Sequence, residues 1–80
     1  ISNIVNGGTS AVVAHPSYTA TLGAGYALSG CGAFVNWTGN GNLLWQIKPA
    51  SATTCTASSK DHNLSAPSSI SGYTIGIRAN

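Results

Sequence analysis

Acidic residues are almost missing from this chain. Asp61 is its one carboxylate side chain in 80 residues. A lone acid cannot form the paired carboxylates of glycoside hydrolysis or of aspartic proteases. Cations are nearly as scarce. With Lys48, Lys60 and Arg78 added, charged residues make up 5% of the chain, against about 25% in an ordinary globular domain. The net charge of +2 is spread over separated positions. That gives no basic patch able to contact several phosphates, so nucleic acid is not an expected partner. No apolar run approaches the ~18 residues that cross a bilayer, so no membrane span is expected. Methionine is absent and the chain starts at Ile1. The simplest reading is a mature or trimmed product, and its expected location is secreted.

What remains is glycine, serine, threonine and asparagine around an ordinary hydrophobic share of 42%. That share is enough for a folded chain even with ten glycines. The length allows one domain, residues 1–80, which buries only about 60% of its unfolded surface. A surface of hydroxyls and amides suits neutral polar partners such as sugars, or close self-association, and does not suit polyanions. Two cysteines, Cys31 and Cys55, can make one bridge. Closing a loop of about 25 residues stabilises by roughly 3.5 kcal/mol in the chain-entropy model. Two free thiols are the alternative.

Period-2 alternation dominates and no amphipathic helix is visible. Tyr18, Ala20 and Leu22 alternate with Thr19 and Thr21, and Tyr26 and Leu28 alternate with Ala27 and Ser29. Ala33–Trp37 is rich in aromatic and β-branched residues. The turn formers Thr38-Gly39-Asn40-Gly41-Asn42 follow, then an apolar stretch from Leu43 to Lys48, so a hairpin is expected there. Pro49 stops that strand. Residues 53–59 form a polar strand with Cys55 and Ala57 inward, and Ile70–Arg78 forms the last. Ile1–Val5 and Ser10–Val13 are expected as short strands parted by Asn6-Gly7-Gly8. The fold class is therefore all-β, a small antiparallel β-sandwich or barrel of six to seven short strands.

Four stretches carry a further signal: the run Gly25–Val35 beginning Gly-Tyr-Ala-Leu, then Gly41-Asn42-Leu43-Leu44, Lys60-Asp61-His62, and Tyr73-Thr74-Ile75-Gly76-Ile77. Together, from Tyr18 to Ile77, they resemble a small Gly/Thr-rich all-β module of secreted bacterial proteins, mostly of unassigned function. The resemblance implies secretion and offers no catalytic residue to carry across. The chain departs from that pattern at two places together, with Cys31 where the module has glycine and Cys55 where it has tryptophan. Paired replacement implies that the two positions touch and form a disulfide.

Reactive constellations are sparse, and no enzyme activity is expected. A Ser–His–Asp triad would need His15 or His62 with Asp61, yet neighbours on a strand point to opposite faces and no G-x-S-x-G turn exists. His15, His62 and the cysteines lack zinc-ligand spacing, so neither metal nor cofactor is expected. His15 reads as a plain loop residue before Pro16. Trp37 and Trp45 flank the turn and are either core residues or exposed platforms for sugar rings. Asn40 and Asn42 could bond hydroxyls, and Lys60, Asp61 and His62 are the only concentration of charge, either ligand contacts or a Lys–Asp pair tying down a loop. Asn36-Trp37-Thr38 and Asn63-Leu64-Ser65 are short glycosylation patterns with high chance rates. The leading expectation is a lectin-like carbohydrate-binding module whose partner is a glycan or glycoprotein, with a homo-oligomer supplying avidity. The alternatives are a self-assembling structural module and a secreted toxin or inhibitor.

Overall fold

A computed structural model describes residues 1–79. Its six strands are β1 (Ser2–Thr9), β2 (Ser17–Thr21), β3 (Ala27–Asn36), β4 (Leu43–Pro49), β5 (Thr54–Lys60) and β6 (Ser69–Arg78). They form two three-stranded antiparallel sheets, β1-β6-β3 and β2-β5-β4. The sheets face one another as a narrow sandwich whose Cα extents are 49 × 16 × 14 Å. No helix occurs among the described residues, and so none is long and apolar enough to cross a membrane.

Alternation decides which face each strand buries. On β6, Ile70, Gly72, Thr74 and Gly76 are buried, while Tyr73, Ile75 and Ile77 point outward. On β5 the inward residues are Cys55, Ala57 and Ser59, and on β2 Ala20 is buried while Thr19 and Thr21 are exposed. Apart from Ile70 and Leu22, the buried apolar residues are small: Ala20, Ala57, Ala66 and Cys55. Thr74 is fully buried and satisfies its hydroxyl on the Asn6 carbonyl at 3.1 Å. So thin an interior gives limited hydrophobic stabilisation. The Cys31–Cys55 disulfide adds to it by tying β3 to β5 across the two sheets, with 6.4 Å between the Cα atoms.

Several expectations about local structure are corrected. Asn6-Gly7-Gly8 makes no turn, and β1 runs straight through it, paired with β6 from Ser2↔Arg78 to Thr9↔Ser71. The glycines serve close approach instead: the Tyr18 ring and hydroxyl, coming from the other sheet, occupy the place where a Gly8 side chain would be. Gly72 lies under the same ring, at 3.4 Å from Cδ2 to a would-be Cβ. Ser10–Val13 forms no strand, and only Val13 bridges, to Ser68.

A further correction concerns the hairpin. β3 pairs with β6 and β4 pairs with β5, so the Thr38–Asn42 link crosses from one sheet to the other. Gly39 and Gly41 take positive φ, 61° and 100°, which turns the chain out of the plane of β3. Thr38 then anchors the crossing by donating its hydroxyl to Pro67 O at 2.9 Å and its backbone N–H to Ser68 Oγ at 3.3 Å. The segments expected at 26–30 and 33–37 also merge into the single strand β3, with a bulge between Leu28 and Gly30.

Replacing both Cys31 and Cys55 by alanine should lower the unfolding free energy by about 3.5 kcal/mol, read from urea midpoints at unchanged slope. Alanine is preferred over serine because a hydroxyl at buried position 55 would lack a partner. Gly8→Ala should cost about 1–3 kcal/mol through the clash with Tyr18. Part of that loss should return when Tyr18 is shortened to leucine, a non-additivity that a double-mutant cycle reads directly.

Candidate functional site

Where β3 ends and β4 begins, the crossing link opens a cleft of about 480 Å³. Trp37, Asn40, Gly41, Asn42 and Leu43 come from the link and the first residue of β4, and His62 comes from the segment after β5. The size falls within the usual range of small-ligand sites. No Asp, Glu, Lys or Arg lines it, and the Trp37 indole is 65% exposed.

Asn42 builds the wall. Its Nδ2 donates to Ala14 O at 3.2 Å and Ala66 O at 3.0 Å, joining the link to both neighbouring loops. Those two acceptors also fix which end of the amide is nitrogen. Oδ1 is buried with no protein partner among the described residues, one unused acceptor in a wall of the cleft. His62 is exposed, and its carbonyl accepts from Leu64 N at 2.8 Å across a tight turn in which Asn63 takes φ 66°.

Of the residues singled out from the sequence, Trp37, Asn40, Asn42 and His62 meet in this cleft, while Trp45, Lys60 and Asp61 do not line it. Trp45 sits in the irregularity between Leu44 and Gln46 on edge strand β4 and is 58% exposed. Both tryptophans are thus surface residues, and core packing is excluded for each. Lys60 is exposed beside its cross-strand partner Leu43. Asp61 and His62, expected as strand neighbours, lie beyond the end of β5, and only His62 lines the cleft. The Asp61 carboxylate meets not Lys60 but His15 Nε2 at 3.4 Å, and accepts from Ala66 N at 3.3 Å.

His15 therefore has a partner where a plain loop residue was expected. No sequence signal marks the contact, because the two residues meet only when the 14–16 segment runs beside the end of β5, with Asp61 N donating to Ala14 O. Gly41 and Leu43 are cleft residues that the sequence reading missed. Leu43 begins an apolar strand and reads as core there, but on an edge strand it is 51% exposed.

Neither imidazole is hydrogen-bonded to a serine hydroxyl among the described residues, which contain no group of three or more His, Cys, Asp or Glu placed to hold a metal. Of the two glycosylation patterns, Asn36 holds its amide on Ser69 Oγ and Ser71 Oγ, both at 3.0 Å, whereas Asn63 lies in the exposed turn. The chain matches no protein-family model, no curated protein and no solved structure.

Asn42→Ala would leave the Ala14 and Ala66 carbonyls without their donor. It should destabilise the fold by about 2 kcal/mol in thermal or urea unfolding, and a side chain that served only a ligand would leave both midpoints unmoved.

Proposed function

We propose that this protein is a secreted, lectin-like carbohydrate-binding module that recognises glycans in the Trp37 cleft, without a metal and without turnover. The observation that carries this reading is the cleft itself: an exposed indole beside hydrogen-bonding side chains, Asn40 and His62, in a concavity of ligand size. An indole face covers the apolar C–H face of a sugar ring, while amide and imidazole groups meet its hydroxyls. The disulfide is in keeping with an oxidising, extracellular setting. A single open site binds weakly, so useful avidity comes from several copies.

A self-assembling structural role is the second reading, and a different observation favours it. The outer face of sheet β1-β6-β3 exposes Val5, Phe34, Ile75 and Ile77, and the edge strands carry few charges. Light scattering tests this second reading: a strictly monomeric species at high concentration removes it.

The carbohydrate reading is tested on a glycan array with the protein presented multivalently. Binding should appear, and Trp37→Ala should weaken it about tenfold while Trp45→Ala leaves it unchanged. Silence across the array overturns it.

A further inference from the structure

Along the sequence the two lysines look scattered, but the sheet brings them together. In the β4–β5 ladder Lys48 pairs with Thr56 and Leu43 with Lys60. Thr54, Thr56, Ser58 and Lys60 alternate with inward Cys55, Ala57 and Ser59, so Lys48 and Lys60 share the outer face of sheet β2-β5-β4. Four residues along β5 separate their rungs, about 13 Å at strand rise. Both are exposed, and neither has an acidic partner among the described residues. The one acidic side chain, Asp61, is engaged by His15 and the Ala66 amide. Arg78, the third cation, is elsewhere, stacked over Tyr26 at 4.8 Å on the other sheet.

Between the lysines this face is a floor of hydroxyl and amide groups. Ser17 and Ser58 hydroxyls meet at 3.2 Å, and Ser58 donates on to Gln46 Oε1 at 3.4 Å. Thr19 and Thr56 hydroxyls meet at 2.9 Å in the next rung. Lys60 stands beside Leu43, which lines the Trp37 cleft, so the Lys60 end of this face adjoins the cleft. Unopposed positive charge beside a sugar-sized cleft attracts negative ligands and repels none.

We infer that the saccharide this protein binds carries anionic substituents, carboxylate or sulfate ester, with one unit in the Trp37 cleft and the chain extended over the outer face of β2-β5-β4 towards Lys48. This rests on the carbohydrate reading above and names the class of sugar. It also revises the expectation from composition that polyanions are unsuitable: few charges suffice when they recur along one face and no carboxylate opposes them. Two lysines against hydroxyl rungs favour a sugar chain over nucleic acid, which needs more phosphate contacts.

The test uses the intact protein in a Trp45→Phe background, so that fluorescence reports Trp37. It is titrated with oligogalacturonate, with the same oligomer fully methyl-esterified, with a sulfated galactan oligosaccharide and with single-stranded DNA. At low salt one or both anionic sugars should bind several-fold more tightly than the methyl ester, the two arms showing which substituent is preferred. Lys48→Gln and Lys60→Gln should each weaken anionic binding about two- to fivefold, leave the methyl ester unaffected and leave thermal unfolding unmoved, and 0.5 M salt should close the gap, about the concentration at which exposed charges are screened within a few ångströms. Equal binding of the charged and esterified oligomers overturns the anionic preference and leaves the carbohydrate reading standing. DNA binding as tight as the anionic sugars overturns the assignment to saccharides, and absence of binding to every probe overturns both readings.

Discussion

The structure depends on holding two thin sheets together across an interior of small side chains. Alanine, glycine, serine and threonine let the sheets approach closely, and the Tyr18 ring then lies directly on Gly8 and Gly72. Such an interface is well shaped but poor in apolar area, so burial alone leaves little margin over the entropy of ordering the chain. The Cys31–Cys55 bridge supplies what the core lacks, and joins edge strand β3 to central strand β5. Each feature requires the other, since larger inward residues would force the two cysteine positions apart.

The same crossing geometry that separates β3 and β4 into different sheets also makes the cleft. In a hairpin, Trp37 and Leu43 would flank a tight turn with little space between them. Because the link instead arches between sheets, anchored by Thr38 and Asn42, it leaves a concavity whose rim carries the indole. The structural cost falls on Asn42, whose amide nitrogen is committed to two loop carbonyls. Those two bonds tie the link to the loops on either side of it.

The two outer faces have different chemistry, although both derive from the same alternation. The outside of β1-β6-β3 carries Val5, Ile75, Ile77 and Phe34, interrupted by hydrogen-bonded pairs such as Thr9 with Ser71. The outside of β2-β5-β4 carries hydroxyl rungs and two lysines. One outer face is largely apolar and the other is rich in hydroxyls with two lysines, and the cleft opens at the link that joins the two sheets.

Alternating polarity by itself determined that the chain is all-β and which residues of β2 and β5 face inward, while residue type and turn chemistry pointed to Trp37, Asn40, Asn42 and His62. These are properties of single strands and turns, and they follow from side-chain period and local backbone preference. Strand partnership is different. Asn6-Gly7-Gly8 and Thr38–Asn42 both read as turns because glycine permits turning, but Gly8 admits a tyrosine ring whereas Gly39 and Gly41 permit an arch. Only tertiary packing distinguishes these uses, because the deciding contacts come from residues distant in sequence. The meeting of His15 with Asp61, the exposure of both tryptophans and the shared face of Lys48 and Lys60 arise in the same way, from a sheet order that no local pattern encodes.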